Sequence, residues 1–118
     1  MNKQEAFNTA YAGVIKQGKP SATKSGGCLY RGPNRRKCGI GQLLTNKEAE
    51  GLDSRDTSSV RHLLRGGFLP NRFKSADVDF FEDLQSAHDQ AADHSDFLDH
   101  FRNNMARVAN HYKLKVPA

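Results

Sequence analysis

Residues 28–44 of the 118-residue chain read Cys28-Leu-Tyr-Arg-Gly-Pro-Asn-Arg-Arg-Lys-Cys38-Gly-Ile-Gly-Gln-Leu-Leu44. This stretch holds both cysteines of the chain, a Gly-Pro-Asn turn signal and four cationic side chains, and it ends in an apolar run. Short apolar segments on either side of a turn signal are typical of a β-hairpin. Because proline favours the second position of a type I turn, the sequence predicts a hairpin with its tip at Pro33 and Asn34.

The length of the loop decides which side chains of this hairpin share a face, because alternate residues of a strand point to opposite sides. A three-residue loop from Pro33 to Arg35 predicts an inner face of thiol and apolar side chains, with Arg31 and Lys37 on the outer face. The predicted inner face consists of Cys28, Tyr30, Cys38 and Ile40.

Two other registers stay open at this point. A loop at residues 32–34 places Cys28 directly opposite Cys38, as a cross-strand disulfide requires, but it moves Pro33 to a turn position that disfavours proline. A two-residue loop would place the two cysteines on opposite faces. We favour the first register, and therefore buried and unpaired thiols.

Helical periodicity dominates the rest of the chain. The first helix is predicted from Lys3 to Gln17, with Gly18 as its stop signal. Further helices are predicted from Ile40 or Leu43 to Glu50, after Asp53-Ser54-Arg55-Asp56 as far as Gly66, from Ser75 to about Ala92, and from an N-cap at Ser95 onward. The last two should form an antiparallel helical hairpin. We therefore predict an α+β fold that is mostly α, in a single domain spanning residues 1–118.

The net charge of +5 is unevenly distributed along the chain. Residues 1–40 hold eight Lys or Arg and one acidic residue, whereas residues 77–99 hold eight acidic residues and no Lys or Arg. The basic half either meets an anionic partner or is neutralised by the acidic segment across the fold. No apolar run approaches the roughly 20 residues that span a bilayer, and the N-terminus lacks a signal-peptide pattern. We expect a cytoplasmic protein without membrane contact.

The cationic side chains of residues 28–44 are the leading candidates for a binding site. Clustered Arg and Lys side chains on an exposed turn contact the phosphates of a nucleic acid or nucleotide, or an acidic protein surface. Backbone amides of residues 39–41, at a predicted helix start, would add further donors. The candidate residues for binding a partner or an anion are Arg31, Arg35, Arg36, Lys37 and Lys24.

The sequence gives weaker support for a metal site or a reactive cysteine. The chain has no Cys-x-x-Cys pair, and His88, His94 and His100 are each six residues apart, which points them in different directions on one helix. Neighbouring cations could lower the pKa of Cys38, but His88 and Asp89 could serve it only if the fold brought them close. We expect no metal site, no cofactor and no enzymatic activity.

The chain contains the spaced pattern Cys28-x-Tyr30-Arg31-x-Pro33-Asn34-x3-Cys38-x-Ile40-Gly41-x-Leu43-Leu44, which resembles one found in small proteins encoded by tailed phages and prophages. A Glu-Gly pair at residues 50–51 and a Leu-Gln-x-x-His-Asp stretch at residues 84–89 extend the resemblance over about half of the chain. Such relatives tend to have glycine at the position of Arg35 and alanine at the position of Gly39. A tight turn would then force Arg35 into the left-handed backbone region.

The resemblance implies a biological context and carries no assigned activity. Small accessory phage proteins frequently bind a host macromolecule, including components of defence systems. We therefore expect a non-enzymatic binding protein that acts in the host cytoplasm on a host protein or nucleoprotein complex, as an inhibitor of a defence system such as CRISPR-Cas. The alternative is a protein that binds nucleic acid or a nucleotide through the basic β-hairpin.

Overall fold

The computed structural model describes residues 1–22, 29–54 and 59–117. Helices make up about 63% of these residues. The described α-helices are α1 Lys3–Gln17, α2 Asn46–Ala49, α3 Val60–Arg65, α4 Val78–Ala91 and α5 Phe97–Tyr112. Short 3-10 turns lie at Pro33–Arg35, Gly41–Leu43, Leu52–Ser54 and Ser75–Asp77.

The first helix has the bounds that the sequence predicts. The side chain of Asn2 caps it by accepting a hydrogen bond from the Glu5 N–H (2.8 Å). Gly18, at φ 80°, ends it and donates its own N–H to the Val14 carbonyl (2.9 Å). Glycine adopts this left-handed conformation without steric cost, which makes it an effective helix stop.

The predicted antiparallel pairing of the last two helices is confirmed, and α4 and α5 make the most extensive contact between two elements. Asn104 of α5 donates to the Ala87 carbonyl of α4 (3.1 Å), and Tyr112, later on α5, donates to Asp83, earlier on α4 (2.6 Å). The buried side chains of the pair include Phe80, Leu84, Phe101 and Met105. Each buried side chain of this size stabilises the fold by about 1.5–3 kcal/mol.

A capping box starts α2 later than predicted. The Thr45 hydroxyl accepts the Glu48 N–H (3.1 Å), while the Glu48 carboxylate accepts the Thr45 N–H (2.9 Å). This reciprocal pair satisfies two backbone donors at the helix start. The 3-10 turn Gly41–Leu43 precedes it, so one predicted helix is divided into two short pieces.

The remaining helices differ from the predictions mainly at their starts. Ser59 caps α3 through a hydrogen bond from the His62 N–H, and the predicted start directly after Asp56 lies outside the described residues. A 3-10 turn at residues 75–77 leads into α4. The N-cap position of α5 is occupied by Asp96, one residue after the predicted Ser95.

The predicted β-hairpin is wrong, and the α+β fold class is wrong with it. The described parts of the chain contain no β-strand or sheet, and Ala22 has only an isolated bridge. A tight turn does lie at Pro33–Arg35, but the chain that follows does not extend into a second strand. Instead, the Gln42 N–H donates to the Cys38 carbonyl (3.0 Å), which is a helical hydrogen bond.

Two glycines pack closely against other parts of the backbone where the sequence predicts the second strand. A Cβ atom on Gly39 would lie 2.8 Å from the Leu84 carbonyl oxygen of α4. A Cβ atom on Gly41 would lie 2.5 Å from the Tyr30 carbonyl oxygen. The backbone at these two glycines therefore approaches other backbone more closely than any side chain permits. The amides of Lys37 and Ile40 donate to the side chains of Gln17 and Gln85 rather than to a partner strand.

Candidate functional site

Arg31 closes the irregular segment 29–44 upon itself. Its Nη1 donates to the carbonyls of Tyr30 (3.0 Å) and Gly41 (2.8 Å), and its Nη2 donates to the carbonyl of Leu44 (2.7 Å). Its Nε donates to the Asn46 side chain (2.9 Å). The planar guanidinium presents several donors in a fixed geometry, which suits it to hold three carbonyls at once. Because Arg31 is engaged within the chain, we do not place it on the binding surface.

Asp53 holds the start of the same segment. Its two carboxylate oxygens accept the backbone N–H groups of Tyr30 (2.9 Å) and Arg31 (3.0 Å). Hydrogen bonds to a charged acceptor stabilise by about 1.5–3 kcal/mol. Asp53 lies in the 3-10 turn after α2. Its carboxylate thus accepts N–H groups that a partner strand would accept in a hairpin.

Polar side chains on α4 hold the other side of the segment. Gln85 accepts the Ile40 N–H (3.0 Å), and the fully buried His88 accepts the Ser21 N–H through Nε2 (3.0 Å). A backbone N–H can only donate, so Nε2 carries no hydrogen and Nδ1 donates to the Asp89 carboxylate (2.9 Å). His88 and Asp89 are therefore occupied in positioning the chain.

Cys38 lies beneath this segment as a fully buried free thiol. Burial raises the pKa of Cys38 to about 12, although its Sγ accepts the Gly41 N–H (3.3 Å). The lowered pKa that the neighbouring cations suggested is therefore wrong. A neutral, inaccessible thiol does not serve as a nucleophile. Cys28 lies outside the described residues.

Gln17, the last residue of α1, joins that helix to the turn. Its Oε1 accepts the Lys37 N–H (2.7 Å), and its Nε2 donates to the carbonyls of Lys37 (3.0 Å) and Lys19 (2.7 Å). These bonds bring two lysines, eighteen positions apart in the sequence, to one side-chain amide. The end of α1 therefore extends the cationic surface of the turn.

We call Lys19, Arg35, Arg36 and Lys37 the basic cluster. Lys19 and Arg35 are exposed, and Arg36 and Lys37 are half-buried. Within residues 1–22, 29–54 and 59–117, no hydrogen bond or ion pair engages any of the four side-chain cations. Lys24, the remaining predicted binding residue, lies outside the described residues.

The backbone of the turn fixes the arginines of the basic cluster. Asn34 (φ 57°) and Arg35 (φ 62°) both adopt the left-handed conformation. The Gly32 N–H donates to the Arg36 carbonyl (2.8 Å), and the Arg36 N–H donates to the Pro33 carbonyl (3.2 Å). The left-handed region is unfavourable for a residue with a Cβ atom. Arg35 thus occupies a position suited to glycine, which adds a charge to the turn at a conformational cost.

The acidic segment does not neutralise the basic cluster among the described residues. Asp77 pairs with Lys3 at the opposite end of α1 (3.0 Å), and Arg61 of α3 pairs with Asp79 (2.6 Å) and Glu82 (2.8 Å). With a rise of about 1.5 Å per residue, that end of α1 lies roughly 20 Å from Gln17. Lys3 of the basic stretch 1–40 is thus neutralised by the acidic segment, whereas the basic cluster lies at the other end of α1, away from these ion pairs.

A polar cleft of about 300 Å³ lies between Tyr30, the start of α3 and one side of α4. Its lining includes Glu82, Gln85 and Asp89. Each of these side chains is already bonded, to Arg61, to the backbone of the irregular segment, and to His88 respectively. The cleft is thus the outer surface of the network that holds segment 29–44.

Comparison with protein-family models, curated proteins and solved structures finds no match to this chain. Among the described helices, none combines the length and the apolar character needed to cross a membrane. The candidate site therefore rests on the geometry of the chain itself.

Proposed function

We propose that this chain is a phage-type accessory protein that binds a host macromolecule without catalysing a reaction, in the cytoplasm of the host cell. Its target is a host protein or nucleoprotein complex of a defence system such as CRISPR-Cas, and its binding surface is the basic cluster. The observation that carries this proposal is that the cations of Lys19, Arg35, Arg36 and Lys37 lie together and have no internal partner among the described residues.

Charge and rigidity together support this assignment. Cations without internal partners attract anionic surfaces and steer their encounter with the protein. Residues 32–37 are held by backbone bonds across the turn and by Gln17, so little backbone conformational entropy is lost when they bind. Arginine suits bidentate recognition of phosphate and carboxylate groups. The surface is thus fitted to a polyanionic face, such as a nucleoprotein complex exposes.

A phage-targeting interference assay tests the proposal. Host strains with defined, active CRISPR-Cas systems are challenged with a targeted phage while they express the chain. We expect the wild-type chain to restore plaque formation in at least one strain, and the triple variant Arg35→Ala/Arg36→Ala/Lys37→Ala to lose this effect.

The matched control removes the same number of positive charges from other parts of the surface. The triple variant Arg65→Ala/Lys74→Ala/Arg107→Ala replaces three exposed cations on other elements and should act like the wild type. Equal activity of the cluster variant and the control, at equal expression, would contradict the proposed surface. No effect of the wild-type chain in any strain would contradict the proposed function.

Direct binding of nucleic acid is the second candidate function, and the same unpaired cations favour it. If all four cations neutralise phosphates, the logarithm of the affinity for duplex DNA should fall with the logarithm of salt concentration with a slope of about −3.6. Fluorescence anisotropy with labelled duplex DNA and single-stranded RNA, repeated at several salt concentrations, measures the affinity and this slope. Binding that is absent, or that does not depend on salt, would exclude this candidate.

A further inference from the structure

Two histidines and an aspartate converge at the turn between α4 and α5. His94 lies in the turn, Asp96 is the N-cap residue of α5, and His100 is in the first turn of that helix. One ligand atom from each residue lies within 4.8 Å of the other two. The two imidazole rings stack with their centroids 3.7 Å apart, and His100 Nε2 lies 3.1 Å from Asp96 Oδ1.

No metal site is expected from a six-residue spacing on one helix, but the predicted helix bounds already place His94 in the turn before the N-cap at Ser95. On a continuous helix a spacing of six residues separates side chains by most of a half-turn. Here α4 ends at Ala91 and α5 begins at Phe97, so the intervening turn brings His94 back over His100. The short connection of the helical hairpin therefore creates the convergence.

The role of Asp96 is the second observation that points to a cation. An aspartate at an N-cap position ordinarily accepts a backbone N–H of the first helical turn. The Asp96 side chain makes no such capping bond. Its carboxylate lies against His100 instead. Asp93 adds negative charge to the turn, and Asp99 adds negative charge to the first turn of α5, where it lies 3.8 Å from Arg102. This arrangement leaves α5 without its side-chain cap and presents three ligating groups together.

From this arrangement we propose that His94, Asp96 and His100 form a binding site for a divalent transition metal of the zinc type. Two neutral imidazoles and one carboxylate are suitable ligands for Zn²⁺, and three protein ligands leave a position for water. In a tetrahedral zinc site with bonds of about 2.0–2.2 Å, ligand atoms lie about 3.3 Å apart. To reach this size, the two imidazole rings turn out of their stack so that one nitrogen of each points at the ion; His94 and Asp96 are exposed and His100 is half-buried. The bound metal links the turn to the first turn of α5.

Isothermal titration of tag-free protein with ZnCl₂ tests the site. We expect one zinc ion per chain, and we expect His94→Ala, His100→Ala and Asp96→Asn each to weaken binding by at least about tenfold. The Asp96→Asn variant keeps the size of the side chain, so it remains informative if a histidine variant folds poorly. Thermal unfolding should show that zinc raises the Tm of the wild type and not of these variants.

Two controls separate this site from other histidines and acids. His111→Ala removes an exposed histidine near the other end of α5, and Asp99→Asn removes a charge next to the site without removing one of its ligands. Both should keep one zinc ion per chain with its Tm increase. Absence of zinc binding in the wild type, or binding that survives His94→Ala and His100→Ala unchanged, would overturn the proposal.

Discussion

At the scale of the residue, Arg35 of the basic cluster adopts a backbone conformation that is unfavourable for a residue with a Cβ atom. Its φ of 62° lies in the region where the Cβ atom of an L-residue meets the backbone. Asn34, also left-handed, tolerates the region better because its short polar side chain can bond locally. A turn selected only for stability would have glycine at residue 35. The arginine therefore adds charge at the expense of stability.

Substitution of Arg35 measures that conformational cost. Arg35→Gly and Arg35→Ala remove the same charge, but only the alanine retains a Cβ atom. We expect the glycine variant to be about 1 kcal/mol more stable than the alanine variant in urea unfolding. At Arg36, which has φ −70°, the order should reverse, because glycine there only adds flexibility to the unfolded chain. Equal stability of the two residue-35 variants would contradict the left-handed conformation.

Glu48 carries a pH dependence that can be isolated. Hydrogen bonds from Arg72 first, and from the Thr45 N–H second, lower the pKa of Glu48 to about 2. The folded pKa lies below the ordinary 4.5, so ionised Glu48 stabilises the fold fully above about pH 4.5. This contribution is lost as the pH falls towards 2. We expect Glu48→Gln to be less stable at pH 6 and to have a flatter stability profile between pH 5 and 2.

Urea unfolding at intervals of pH between 6 and 2 provides that profile. Glu50→Gln is the matched control, because Glu50 is exposed at the C-cap of the same short helix and forms no ion pair among the described residues. It should keep the slope of the wild type. Parallel profiles for Glu48→Gln and the wild type would show that the contact with Arg72 does not hold the carboxyl ionised.

At the scale of the element, segment 29–44 is held by side chains where the sequence predicts backbone pairing. Arg31, Asp53, Gln85 and Gln17 each bond to its backbone groups. Side chain-to-backbone bonds of this kind can replace the hydrogen bonds of a strand. Through them the segment joins the ends of α1 and α2 to the middle of α4.

His88 anchors this arrangement from α4. Replacing it by alanine removes a buried ring and leaves the buried Ser21 N–H without its acceptor. We expect His88→Ala to lower the free energy of unfolding by about 2–4 kcal/mol, measured by urea denaturation. Gln90→Ala, on the exposed side of the same helix, should change it by no more than about 0.5 kcal/mol. Similar losses for the two variants would contradict the anchoring role.

Local patterns predict the helices of this chain well and its irregular segment poorly. The apolar period and Gly18 predict α1, and the long periodic stretches predict the α4–α5 pair. The turn at Pro33–Arg35 was also predictable from its proline. The acceptors for the amides that follow come from Gln85 and Asp53, which no spacing within residues 28–44 indicates. Glycine at 39 and 41 was a usable signal of close approach to other backbone.

The candidate site was predictable only in part, for the same reason. Charge clustering indicates the cationic turn, and Arg35 to Lys37 remain on the proposed surface. No feature of the neighbouring sequence distinguishes Arg31 from the other cations of the turn. Its guanidinium nevertheless donates to carbonyls up to thirteen residues away. Lys19 becomes a neighbour of Lys37 only through Gln17. Contacts between distant residues, rather than local composition, decide which cations are available to bind.

At the scale of the whole molecule, the basic cluster lies apart from the ion pairs that Lys3 and Arg61 form with the acidic segment. Cations of α1 and α3 neutralise part of the acidic segment, while the basic cluster at the other end of α1 keeps its full charge. Such a separation creates a directional field that favours one face in encounters with an anionic partner. Both candidate functions depend on this face, whichever polyanion it meets.

Elution from a heparin column compares the anion affinity of this face with that of the rest of the surface. We predict that Arg35→Ala/Arg36→Ala/Lys37→Ala elutes at a clearly lower salt concentration than Arg65→Ala/Lys74→Ala/Arg107→Ala, although both variants have the same net charge. The control should elute close to the wild type, because the cations it lacks lie on other elements. Elution of both triple variants at one salt concentration would contradict the claim that the basic cluster is the binding surface.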